Sequence, residues 1–260
     1  MTQQDILDIA MHQSAEDLNC RAEDFLKAEH VIAHSAQSLR ARKYLELPFS
    51  CNLVSYGTNI VASVQAEYEG LVKQYLKQFK TEHCFETPNL YVLNELFRPY
   101  RQRVCFMAEY FLPVPELLRD INCGYELRIL QQEDFADLYV DTWSNALCEK
   151  RKELDVLGVG AYDRGTLAGL AACSADCDTM WQIGIDVLPQ YRKNGIAKAL
   201  TGRLAMEILH RGKVPFYCAA WSNIKSVRNA LSSGFRPAWT ELTVKSDQFV
   251  DKMNAGFQRN

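Results

Sequence analysis

The sequence predicts an α+β protein with a mixed, mostly antiparallel central sheet flanked by helices, plus a smaller α+β domain at its N-terminal end. Three observations lead to that class. Apolar runs of strand length recur through the second half, at residues 126–130, 154–162, 166–173, 181–187 and 215–220. Asp163-Arg164-Gly165 is a tight-turn sequence that joins two of these runs as a hairpin. A long amphipathic segment over 197–209 separates the runs at 181–187 and 215–220, which calls for one parallel crossover through a helix.

Each element has its own signal. Thr2 is suited to cap a helix reaching residue 11. Residues 52–56 and 59–63 read as a strand pair across Gly57. Over 66–79, Tyr68, Leu71, Val72, Tyr75, Leu76 and Phe79 recur at intervals of three and four, the period of one helix face. Thr87-Pro88 opens a second helix that runs to Phe97, because proline at the first helical position forfeits no internal hydrogen bond. Residues 103–107 return as a strand. Pro113 and Pro115 then interrupt regular pairing, and the chain divides there into 1–115 and 116–260.

In the second part, 126–130 is a strand and 133–140 a short helix with Phe135, Leu138 and Tyr139 inward. The helix over 197–209 sets Ala197, Leu200, Leu204 and Ile208 on one face. His210-Arg211-Gly212 ends it with positive charge and a glycine, as the helix dipole and the C-terminal geometry favour. Two strands, at 236–239 and 241–245, complete the sheet.

Bulk properties narrow the function. With 48% hydrophobic residues, 23% charged residues and a net charge of −3, the chain has a core-forming composition and no basic surplus to hold nucleic acid. Acidic residues lie close to the N-terminus, where a secretory signal would be basic and then apolar, and no apolar window reaches membrane-spanning length. Nine cysteines, an odd number without a C-x-x-C pair, fit reduced thiols in a cytoplasmic protein. Cys173 and Cys177 lack a neighbouring histidine, so no metal is expected.

The segment Trp181 to Ala197 carries the chemistry. A strand runs into Arg192-Lys193-Asn194-Gly195-Ile196-Ala197, and a helix starts there. The first turn of a helix leaves main-chain N–H groups unpaired and concentrates partial positive charge, so it suits a phosphate. Gly195 admits close approach of the main chain, Ala197 keeps the turn shallow, and Arg192 and Lys193 add charge. A second segment follows: a strand through Tyr217 and Cys218, then Asn223-Ile224-Lys225-Ser226 opening a helix that closes at Ser233-Gly234-Phe235.

R-x-x-G-x-A between strand and helix, followed by Asn at the start of the next helix and Gly-Phe at its end, resembles the acetyl-coenzyme A site of the GNAT acyltransferase superfamily. The resemblance covers residues 125–246. It implies a GNAT-like sheet whose strand before the phosphate loop splays from its neighbour. It implies that Ile185, Asp186 and Val187 lie beside the thioester, with main-chain N–H groups polarising its carbonyl. The pyrophosphate then rests on Arg192, Lys193, Asn194, Gly195, Ile196 and Ala197, and Asn223 and Ser226 approach the pantetheine arm. Trp143, Ser144 and Asn145 stand where the family's early helices line the acceptor groove.

The sequence departs from that pattern in its proton-transfer groups. Ala230 occupies the place, seven residues after Asn223, where many members carry a tyrosine acid. Trp181 and Cys218 stand where some members carry a glutamate base. Ser226, Tyr217 and Asp186 are the candidate catalytic groups that remain, with Asp176, Asp178 and Glu241 as further carboxylates near the sheet. The expected activity is transfer of acetyl from acetyl-CoA to an amine of a small acceptor, by direct attack in a ternary complex. A non-catalytic CoA-binding sensor or scaffold, or a transferase for another acyl group or an alcohol, are the alternatives. The N-terminal part is expected to shape the acceptor site, to form a homodimer interface, or to be a degenerate GNAT-like copy. Phe97-Arg98-Pro99 echoes Phe235-Arg236-Pro237 in that last sense.

Overall fold

The computed structural model describes residues 1–257. Its first elements are α1 (Gln3–Leu18), β1 (Val31–His34), β2 (Cys51–Ser55), β3 (Val61–Val64), α2 (Glu69–Leu76), α3 (Thr87–Phe97) and β4 (Gln102–Pro113). Then come β5 (Glu126–Gln131), β6 (Asp155–Asp163), β7 (Thr166–Ser174), β8 (Met180–Val187) and α4 (Ile196–His210). The chain closes with β9 (Val214–Ala219), α5 (Ile224–Ser232), β10 (Phe235–Ser246) and α6 (Asp247–Phe257). Strands pair mostly antiparallel and helices flank them, which is the expected α+β class.

The fold divides into two compact units, and neither is one continuous stretch of chain. The first takes residues 1–10 and 110–238, and the second takes 11–109 and the segment from 239 onward. This differs from a single break at residue 115. The prolines do act, since Pro113 is the last residue of β4. That strand nevertheless passes through Phe111 and Leu112, residues taken in the sequence as a boundary.

In the first unit the strand order is β4-β9-β8-β7-β6-β5, with only the end of β4 contributing. β5 to β8 are successively antiparallel, and β8 pairs with β9 in parallel. Helix α4 covers one face: Ile196, Leu200, Leu204 and Ile208 pack against Leu157, Val159, Ala171 and Ile183. Each of the fully buried leucines contributes roughly 1.5–3 kcal/mol. The helix starts one residue before the expected position, so Ile196 opens its buried face and Ala197 is only partly buried. On the opposite face Phe135, Trp143, Ala146 and Leu147 pack on Leu170 and Ala172.

The helix expected over 133–140 is reduced to a 3₁₀ turn, Gln132–Phe135. Its start is capped, since the Asp134 carboxylate accepts from the Gln131 amide at 2.8 Å.

In the second unit the order is β1-β3-β2-β10-β4. β2 is antiparallel to both β3 and β10, while β1, which the sequence reading passed over, runs parallel to β3. The expected helix over 66–79 appears as a 3₁₀ turn followed by α2, with Tyr68, Val72, Tyr75 and Leu76 buried as its spacing demanded. The two strands expected at 236–239 and 241–245 are one strand, β10, in which Thr240 pairs with Ser55. Glu241 is buried and bonded: Arg42 Nη2 donates to its Oε2 at 3.1 Å and Asn52 Nδ2 to its Oε1 at 2.9 Å. The Phe-Arg-Pro echo does not mark equivalent places, since Phe97 ends a helix and Phe235 begins a strand.

All nine cysteines are free. Among the described residues no cluster of His, Cys, Asp or Glu is placed to hold a metal ion, and no helix is long and apolar enough to cross a membrane.

Candidate coenzyme-binding site

The parallel ladder between β8 and β9 is short. Its register runs Met180↔Val214, Trp181↔Pro215, Gln182↔Phe216 and stops, although β8 continues to Val187 and β9 to Ala219. Past Gln182 the two strands splay. The direction of the main-chain groups on β8 follows from its other neighbour. Leu188 N–H donates to Ala168 O at 3.0 Å, and the antiparallel register pairs Asp186 with Leu170. Strand alternation therefore turns the N–H and C=O groups of Ile185 and Val187 away from β7 and into the splay. One of these groups is occupied, because Arg192 Nε donates to Val187 O at 3.1 Å.

Side chains alternate as well. Ile183, Ile185 and Val187 pack under α4. Gly184 and Asp186 face the other way, against the segment around Asn145, where a Cβ on residue 184 would collide with the Asn145 carbonyl oxygen.

At the end of β8 a 3₁₀ turn, Pro189–Tyr191, leads to the loop before α4. Lys193 and Gly195 both have left-handed backbone, with φ of 70° and 79°. Gly195 is the N-cap of α4 and offers no side chain to its first turn. The first helical bond is from Ala199 N–H to Gly195 O at 3.2 Å. Among the described residues no protein group accepts from the amides of residues 193–198. These amides and the dipole of a 15-residue helix converge on one spot.

That spot opens on a cavity of about 430 Å³ between the first turn of α4 and one face of α5. Val187, Tyr191, Gly195 and Ala197 line one wall, and Lys225, Arg228, Asn229 and Ser232 line the other. The lining includes Arg192, Lys193, Lys198, Lys225 and Arg228 and no carboxylate, so the local field favours an anion. Of the loop residues expected here, Asn194 is outside the lining, and its Nδ2 donates to the Tyr125 hydroxyl at 3.2 Å.

Beneath the cavity lies a chain of polar groups. Asn223 caps α5 by accepting from Ser226 N–H at 3.3 Å. Tyr217 on β9 is buried, with the side chains of Ser226 and Asn229 beside its hydroxyl. Asn229 Nδ2 in turn donates to Thr201 Oγ1 on α4 at 2.9 Å. Burial pushes the Tyr217 phenol above its usual value, opposed by its neighbours Ser226 and Asn229. The phenol therefore keeps its proton through the neutral range.

Among the remaining expected site residues, Asp186 is the most heavily bonded. Its carboxylate accepts from Asn145 N–H at 2.9 Å, Asn145 Nδ2 at 2.7 Å and Ala146 N–H at 3.0 Å. Trp143 is buried in the core of that face, whereas Ser144 and Asn145 are exposed. Asp176 is buried and paired with Arg151. The sequence reading missed Lys198, Lys225, Arg228, Asn229 and Ser232. The last four follow i, i+3, i+4, i+7 spacing, so they share one helix face once the helix is granted.

Comparison with known proteins places the chain. Among curated proteins nothing matches. The chain is similar to a GCN5-related N-acetyltransferase-like protein of Streptococcus suis, at 20% identity over 59% of this chain and 68% of that one (TM-score 0.44). A GNAT-family acetyltransferase of Colwellia psychrerythraea matches at 15% over 55% and 57% of the two chains (TM-score 0.42). A GCN5-related N-acetyltransferase of Kribbella flavida matches at 12% over 58% and 62% (TM-score 0.46). This chain thus spans less than two thirds of the length of the Colwellia and Kribbella proteins. The family model described as GNAT acetyltransferase matches residues 57–239, more than half of the sequence. The chain belongs to the GNAT acetyltransferase family.

Proposed function

We propose that this protein transfers an acetyl group from acetyl-CoA to an amine of a small acceptor, by direct attack in a ternary complex. The observation that carries the reading is the alignment of the β8–β9 splay with the unpaired amides of residues 193–198 in one cation-lined cavity. Acetyl-CoA supplies an activated acyl thioester. The amides from Lys193 to Lys198 are suited to hold its diphosphate. The N–H groups of Ile185 and Val187, turned into the splay, are suited to polarise the thioester carbonyl as negative charge develops on its oxygen.

Attack forms the C–N bond, and the C–S bond breaks as the carbonyl reforms. Tyr217 is the group best suited to give the departing sulfur a proton, since it is held protonated and lies beside the cavity residue Asn229. A thiolate with a pKa of about 8.5 needs little of that help at neutral pH. Ser226, beside the phenol, assists by favouring its ionised form as the proton leaves. Asp186 positions the Asn145 segment on β8, and the amine proton passes to solvent. The reading thus favours an acceptor whose amine is already partly neutral near pH 7.

A second reading, a CoA-binding protein without transferase activity, is favoured by one observation: the carboxylate nearest the splay is engaged with three donors. Calorimetry with acetyl-CoA and a thiol-release assay over an amine panel separate the two. Binding with amine-dependent release supports transfer. Binding without release from any amine supports the second reading, and absence of binding defeats both.

A further inference from the structure

The loop before α4 adopts a backbone that has to be held in place. Lys193 is left-handed at φ 70°, which an L side chain disfavours, and Gly195 follows at 79°. Three residues around Lys193 are tied down, each to a different place. The Tyr191 hydroxyl donates to Asp163 Oδ2 at 3.1 Å, at the end of β6. Arg192 Nε donates to Val187 O at the end of β8. Asn194 Nδ2 donates to the Tyr125 hydroxyl at 3.2 Å. The Tyr125 ring also meets the Tyr191 ring edge-on, with centroids 5.9 Å apart and planes at 85°. Tyr125 therefore touches the loop on both sides of Lys193.

Tyr125 stands just before β5 and packs on the core beneath α4. It does not line the cation-rich cavity. It lines a separate cavity of about 640 Å³, with Cys123, Leu127 and Arg203 among the walls. A ligand between α4 and α5 thus feels Tyr125 only through the loop.

We propose that Tyr125 is a positioning residue for the coenzyme: by holding Asn194 and Tyr191 it keeps the left-handed turn that aims the amides of residues 193–198 at the diphosphate. This rests on the reading of the cavity as a CoA site. A loop already set in its binding shape spares the ligand the cost of ordering it.

The test is calorimetry with CoA on wild type, Tyr125→Phe, Asn194→Ala and the double variant. Tyr125→Phe keeps the ring against Tyr191 and loses the acceptor, whereas Asn194→Ala loses the donor. Each single variant is expected to bind about three- to tenfold more weakly, with an unchanged melting temperature. The double variant should match the single ones within about twofold, because both changes remove the same bond. Asparagine tolerates left-handed backbone, so in a Lys193→Asn background Tyr125→Phe should cost less than about twofold. Unchanged affinity in either single variant overturns the inference and leaves the CoA site standing. Losses that add in the double variant overturn it, as does an equal loss in both Lys193 backgrounds, which marks a packing role. If wild type does not bind CoA, the CoA reading itself falls, and this inference with it.

Discussion

Asp186 and Asn145 are tied by two hydrogen bonds, the carboxylate accepting from both the main-chain and the side-chain nitrogen of the asparagine at 2.9 and 2.7 Å. A third, from Ala146 N–H at 3.0 Å, completes the set. A chain segment without an α-helix of its own is thereby fastened to the strand that borders the splay. A carboxylate so engaged works as a clamp, which separates it in an experiment from a general base. Replacing Asp186 by Asn puts an amide NH₂ against N–H donors and is expected to lower the melting temperature and raise the acceptor KM. Each donor left unsatisfied costs about 1–3 kcal/mol. The shape of the kcat–pH profile should stay as in wild type. Loss of the acidic limb of that profile would show that Asp186 is the base instead.

Gly195→Asp tests the anion cradle. At φ 79° a side chain is strained, and this one adds a negative charge among amides that face no protein acceptor. Affinity for acetyl-CoA is expected to fall by about a hundredfold or more, since strain of about 1–3 kcal/mol adds to charge repulsion. Gly195→Ala carries the strain without the charge and should lose less. Calorimetry on both variants, with circular dichroism to verify folding, gives the comparison, and undiminished affinity in the aspartate variant would place the site elsewhere.

Tyr217→Phe removes the buried phenol and keeps the ring. Its effect should fall on kcat, by about tenfold, because a thiolate leaves readily and general-acid help is correspondingly small. The dissociation constant for acetyl-CoA should hold within about twofold, since transition-state and ground-state interactions are lost separately. Stopped-flow release of thiol, alongside calorimetry, distinguishes this from a packing defect, which would change both quantities.

Asp155 supplies a pH test of stability. The residue is buried, and burial lifts its carboxyl from 3.8 to about 6, against the opposing bond from Cys148 N–H at 2.8 Å. A carboxyl raised in the folded state gives stability that is complete below its unfolded value and is lost as pH rises through the folded one. The contribution of Asp155 to stability should therefore fall between pH 3.8 and about 6. Asp155→Asn, which can still accept from Cys148, should lose about 4–8 °C less over the same range, since that shift is worth roughly 2 kcal/mol. Parallel thermal melts across that window decide it, and identical slopes would refute the assignment.

The sequence announced the strands of the first unit and the start of α4 because they depend on local order: an apolar run, a hairpin turn, a glycine before a helix. The loop before α4 was legible for the same reason, since its exposed main-chain amides are fixed by Gly195 and the helix it begins. The cations of α5 were not legible, because Lys225 and Arg228 acquire meaning only when that helix is packed across from α4. Trp143 and Asp186 misled in the same manner. A tryptophan beside polar residues and an aspartate on a strand look available in one dimension, and tertiary packing gave one a core position and the other three donors. Short β1, with four residues, carried too little periodicity to stand out beside its partner β3.

The interleaving of the two units has a consequence for synthesis. The second unit begins at residue 11 and still requires the stretch from residue 239, so it remains incomplete on the ribosome until that stretch has emerged. Early segments such as β2, whose partner β10 is made last, must wait with an unpaired edge. A nascent chain of this kind is exposed to mispairing until β10 has emerged, and a cut placed before residue 239 removes material from a unit whose other residues, 11–109, were made early.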